Sequence, residues 1–152
     1  MAGNNLQIFS KVGVIGISST ITAANTATDG TGTCPTIFTA DATNGGRVER
    51  IRFMAQGTNV ATVARIFINN GSTAGTSTNN VLYAEVALPA TTASNSAAIN
   101  AQVYELPYQY ASQSPPDTTA FPIVLPPGYK LIFCIGTAVA GGWACAALGG
   151  SY

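Results

Sequence analysis

Between Arg47 and Gly71 the chain reads RVERIRFMAQGTNVATVARIFINNG, with apolar and polar residues alternating through most of it. Side chains alternate across a β-strand, so a period of two specifies strands that each offer one face to a core. The stretch predicts two strands joined at Gly57-Thr58-Asn59, a central hairpin. On the first, Glu49, Ile51, Phe53 and Ala55 share one face and Val48, Arg50, Arg52 and Met54 the other. On the second, Ala64, Ile66 and Ile68 lie opposite Val63, Arg65 and Phe67. Arg47, Arg50, Arg52 and Arg65 are four of only six basic residues in the chain.

The same alternation recurs on either side. Residues 1–11 are polar apart from Leu6, Ile8 and Phe9 and read as an N-terminal arm, docked on a neighbour or on its own sheet. The rest, 12–152, reads as one β-domain. Val12 to Ser18 is a strand, because Gly13 and Gly16 disfavour a helix. Thr20 to Thr33 is a Thr-, Asn- and Gly-rich loop, and Thr36 to Ala40 a strand ended by Asp41-Ala-Thr-Asn-Gly-Gly. Val81 to Leu88 alternates Leu82, Ala84, Val86 and Leu88 against Val81, Tyr83, Glu85 and Ala87, which sets Glu85 beside the arginine face. Ala98 to Leu106 resumes the pattern. Residues 107–122 carry four prolines with Tyr108 and Tyr110, and form a loop across the surface.

Strands at Phe121–Leu125, Tyr129–Ile135 and Trp143–Leu148 complete the chain, the first two separated by a Pro-Pro-Gly turn. Leu131 to Gly150 holds no charge for twenty residues, the length of a membrane helix. Its glycines, its β-formers and the Gly141-Gly142 break make two buried strands the better reading. About eight short antiparallel strands without a helix imply an all-β, single-domain sandwich, specifically a jelly-roll-like one.

Composition narrows function by elimination. Charged residues are 8% of the 152, where an ordinary globular protein has about 25%. Net charge is zero and mean hydropathy is +0.28. Such a surface is either built of Thr, Ser, Asn, Gly and Ala or covered by other subunits; the second is the expectation, a homo-oligomer. Six basic residues are too few for a nucleic-acid footprint. No leader-like segment opens the chain, so synthesis in a cytoplasm is expected, and no membrane partner is.

With no histidine, the Ser-His-Asp and Cys-His sets and histidine-ligated metals drop out. A glycosidase would need two carboxylates roughly 5–10 Å apart, for which Glu49 and Glu85 are the candidates, in no recognisable motif. Cys34, Cys134 and Cys145 lack zinc spacing and read as buried free thiols. No phosphate loop or calcium loop is present, and neither metal nor cofactor is expected. For Glu85, a surface pair with an arginine of the hairpin is preferred over an anion or carboxylate site.

The closing run VLPPGYKLIFCIGTAVAGGWACAALGGSY resembles the last strands of small β-sandwich virion proteins of tailed bacteriophages. There a Pro-Gly turn introduces the penultimate strand and a Gly-Trp strand closes the sheet. The whole Thr/Ala/Gly-rich, histidine-free chain is similar in character to their capsid decoration (cement) proteins. That resemblance implies a non-enzymatic protein on the capsid exterior of the virion. Its partners would be the major capsid protein and copies of itself, and it would reinforce joints between capsomers. Expected interface residues are Leu6, Ile8 and Phe9 in the arm, Tyr108 and Tyr110 in the loop, and Arg47, Arg50, Arg52 and Arg65. The alternatives are a receptor- or glycan-binding head of a tail fibre or spike, with Trp143 or the loop tyrosines against a sugar, and another tail or connector component.

Overall fold

Eight strands and one 3-10 turn make up the described part of the chain, residues 11–99 and 122–152 of a computed structural model. The strands are β1 (Val12–Ile17), β2 (Thr36–Thr39), β3 (Gly46–Ala55), β4 (Thr62–Asn69), β5 (Asn80–Leu88), β6 (Ile123–Leu125), β7 (Lys130–Ile135) and β8 (Trp143–Ser151). A 3-10 turn at Ser77–Asn79 leads into β5. The expected strand over 98–106 lies, from residue 100 onward, outside the described residues, as do the arm and the proline loop.

Four antiparallel pairs define the topology: β1 with β8, β2 with β7, β3 with β6 and β4 with β5. They nest like one long strand pair rolled up, so successive pairs fall in alternate sheets. One sheet has the order β1-β8-β3-β6 and the other β2-β7-β4-β5. This is the jelly-roll arrangement of two antiparallel sheets face to face.

The central hairpin is therefore corrected. β3 and β4 do not pair: β3 lies between β6 and β8, and β4 between β5 and β7. The segment 56–61 crosses from one sheet to the other. Asn59 anchors that crossing with side-chain bonds to three places at once. Its Nδ2 donates to the carbonyls of Gly57 and Gly142 and to Thr91 Oγ1. Its Oδ1 accepts from Gly141 N and Gly142 N at 2.9 and 2.8 Å. A buried amide with every site engaged replaces the ladder bonds that a hairpin would have supplied.

The main core lies between the sheets. β3 contributes Val48, Ile51, Phe53 and Ala55, and β8 contributes Trp143, Cys145 and Ala147. Leu131, Phe133 and Ile135 of β7, Ala64 and Ile66 of β4, and Val86 and Leu88 of β5 face them. Phe53 and Phe133 meet edge to face across the gap, with centroids 5.8 Å apart. Each such side chain is worth about 1.5–3 kcal/mol in burial, and an aromatic pair about 0.5–1.5 more.

Two β-bulges shift the expected faces. Between Val48 and Arg50 the register with β8 slips by one, so Val48 turns into the core and Glu49 out to solvent. Simple alternation predicts the reverse for both residues. On β5 the register skips Tyr83, which sets Leu82 opposite Phe67 on the outer side rather than beside Ala84.

At Pro126-Pro127-Gly128-Tyr129, Tyr129 N donates to Pro126 O at 3.1 Å and Gly128 has φ +74°. Proline followed by a positive-φ glycine is the type II pattern that the sequence signals. Gly16 serves a different need: a Cβ there would sit 1.7 Å from the Ile37 carbonyl oxygen, where β1 passes over β2. Gly16→Ala is expected to lower stability by at least about 1–3 kcal/mol in urea unfolding. Gly75→Ala, with nothing within 4 Å, should stay within about 0.5 kcal/mol of the parent. Equal stability of the two variants would mean that β1 does not lie this close to β2.

Candidate interaction surface

The two outer faces of the sandwich differ. Over the β2-β7-β4-β5 sheet a second, small core forms from Phe67, Ile132, Cys134 and Cys34, with Ala74 packed against it. Loops hold it shut. Asn25 N bonds the Ile135 carbonyl at 2.7 Å, and Asn25 O accepts from Arg65 Nη1 and from the Cys134 thiol. Asn80 Nδ2 ties Gly30 O, Ala74 O and Thr76 O together, while Asn69 Nδ2 donates to Asn80 Oδ1 at 2.7 Å. β7 is thus buried on both faces.

The outer face of the β1-β8-β3-β6 sheet is instead exposed. Ile15 and Ile17 of β1 are 67% and 74% accessible, and Met54 and Val124 are exposed too. Register aligns them in rows across the sheet: Ile15, Leu148 and Arg50; Ile17, Ala146 and Arg52; then Ala144 and Met54. Arg47 lies further along β3, opposite Val124. The face grades from apolar at β1 to arginine-bearing at β3, where Glu49 also lies. Arg47 Nε bonds Glu49 Oε1 at 2.9 Å.

The predicted arginines are consequently divided. Arg47, Arg50 and Arg52 share this face, whereas Arg65 stands on the outer side of the other sheet. There Arg65 Nε bonds Glu85 Oε1 at 2.8 Å across the β4·β5 register, so the expected Arg–Glu pair forms with Arg65 as its arginine. Glu49 and Glu85 are on opposite outer faces with the sandwich between them, so they share no cleft. Trp143 is fully buried in the main core and presents no ring to a ligand. Leu6, Ile8, Phe9, Tyr108 and Tyr110 lie outside the described residues.

All three cysteines are free and buried. Cys145 sits in the main core, and burial pushes its thiol up. The interaction between Cys34 and Cys134 pushes the Cys34 thiol up and pulls Cys134 down; burial opposes ionisation of both, and the Arg65 charge further lowers Cys134. Among the described residues no group of three or more Cys, Asp or Glu is placed to hold a metal ion. None of their helices is long and apolar enough to cross a membrane.

What sequence reasoning missed is the patch of Ile15, Ile17, Leu148 and Met54. Its members belong to three strands far apart in the chain, and only the register brings them together. No protein-family model matches the chain, and neither a curated protein nor a solved structure does.

Because Glu85 is about half exposed, the Arg65–Glu85 pair should contribute little. A double-mutant cycle with Arg65→Ala and Glu85→Ala is expected to give a coupling below about 1 kcal/mol. A larger coupling would make the pair a structural clamp for the 25–34 loop.

Proposed function

We propose that the protein is a non-enzymatic structural component of a phage virion that binds the outer capsid surface as a small oligomer and reinforces the shell. The observation that carries the reading is the exposed outer face of the β1-β8-β3-β6 sheet, apolar at one side and arginine-bearing at the other. A flat, weakly polar sheet suits a broad docking contact, in which area removed from water supplies affinity and the arginine-bearing border adds polar contacts. A shell repeats that surface many times, so an oligomer engaging several copies gains through effective concentration. The loop-sealed opposite face, dressed in Asn, Thr and Ser, then faces solvent. The resemblance of the closing strands to decoration proteins points the same way.

Co-sedimentation with purified empty phage shells tests this. The wild-type protein is expected to bind at a fixed ratio to shell subunits. Arg50→Glu with Arg52→Glu, folded by circular dichroism, should weaken binding at least about tenfold, or 1.4 kcal/mol. No binding by the wild-type protein would remove the shell-decoration reading. Binding indifferent to the charge reversal would move the contact to another face.

A further inference from the structure

We infer that two copies of the chain pair through β1, edge to edge and antiparallel about a two-fold axis at Ile15, to join their β1-β8-β3-β6 sheets into one continuous sheet. This names the self-contact of the oligomer proposed above and rests on that part of the reading.

Each sheet ends in edge strands, which natural proteins usually protect by shortness, charge, proline or a bulge. β6 has only three residues, β2 has four and a register shift, and β5 carries Glu85 and the Tyr83 bulge. β1 has none of these protections. It is six residues long, VGVIGI, uncharged, without proline and in unbroken register with β8.

Its hydrogen-bonding groups point the right way. Ser18 N donates to Cys145 O at 2.9 Å, and Cys145 N returns a bond to Ser18 Oγ. Antiparallel ladders alternate, so Val12, Val14 and Gly16 direct their peptide groups at β8 while Gly13, Ile15 and Ile17 direct theirs to the open edge. A second β1 centred on Ile15 would pair Ile15 with Ile15 of the other copy, and Gly13 with its Ile17, through about six backbone bonds.

Side-chain sizes fit that register. On the outer face each Ile17 lies against a Gly13, with the two Ile15 side chains touching at the axis. On the inner face each Val14 lies against a Gly16. A slip of one residue would put outer residues opposite inner ones. The contact is isologous and closes on itself, leaving no chain of further copies. It also doubles the exposed apolar face and places both arginine rows on its flanks.

Sedimentation velocity over a concentration series reads the outcome, with a dimer at twice the 15.5 kDa chain expected. Ile15→Pro removes only the edge-facing N–H and should yield a folded monomer. If that variant fails to fold, Ile15→Lys, whose exposed side chain would meet its own copy at the axis, should do the same. Ala144→Lys, on β8 next to the edge strand and on the same outer face, should remain dimeric. Ile15→Cys should cross-link to a dimer on oxidation, since directly paired Cα atoms at about 5.5 Å lie within disulfide reach. A wild-type protein that stays monomeric, or a folded Ile15→Lys variant that stays dimeric, would overturn the pairing. Shell co-sedimentation of the same samples separates the two ideas. A dimer that ignores shells sinks the decoration role and keeps the pairing, whereas a monomer that binds shells does the reverse.

Discussion

The fold depends on β8 being paired on both sides, with β1 along one edge and β3 along the other. That double ladder aims Trp143, Cys145 and Ala147 into the gap between the sheets and leaves Ala144, Ala146 and Leu148 outside. Its partners come from the beginning and the first third of the chain, so the last strand must find neighbours formed long before it. Pairings of such long range carry a large loop-closure cost and make β-sandwiches slow to fold. Until β8 docks, the inner faces of β1 and β3 have no common neighbour to hold them in one sheet.

Most strands were legible from alternation and turn chemistry. Val12–Ile17, Thr36–Thr39, β4, β5 and the two strands within the uncharged run all appear close to their expected bounds, and the nested pairing makes the sandwich a jelly roll. Strand partnership was not legible. A period of two says which residues of a strand share a face, but not which strand lies beside it, and Gly57-Thr58-Asn59 looked like a turn when it is a crossing. Nor could alternation reveal the bulges that send Val48 inward and Glu49 outward, since one inserted residue leaves no compositional trace. The interaction face was the least legible of all. Its arginines were visible as a local cluster, yet Arg65 belonged elsewhere, and the isoleucines that complete the face sit on β1, which reaches β3 only through β8 from the far end of the sequence.

The scarcity of charge has a structural counterpart in asparagine. The side chains of Asn59 and Asn80 bind groups remote in sequence and those of Asn25 and Asn69 bind groups six to eleven residues away, and together they organise the loops at the ends of the sandwich and over its second sheet. An amide both donates and accepts, so it can satisfy loop carbonyls and N–H groups together, without the desolvation cost of an ion. The main core itself stays almost free of polar atoms. Trp143 is the exception, with an indole N–H that meets no acceptor among the described residues.

The pairing of Lys11 N with Ser151 O, at 2.8 Å, sets the two ends of the described fold side by side at one corner. Tension applied through those ends would not shear the β1·β8 ladder as a whole. It would open it from that corner, breaking one rung at a time, which is the mechanically weak direction of an antiparallel pair. Any load the protein bears in an assembly is therefore better carried through its broad sheet faces than through its ends, and a tether attached at either end would peel β1 away before it strained the core.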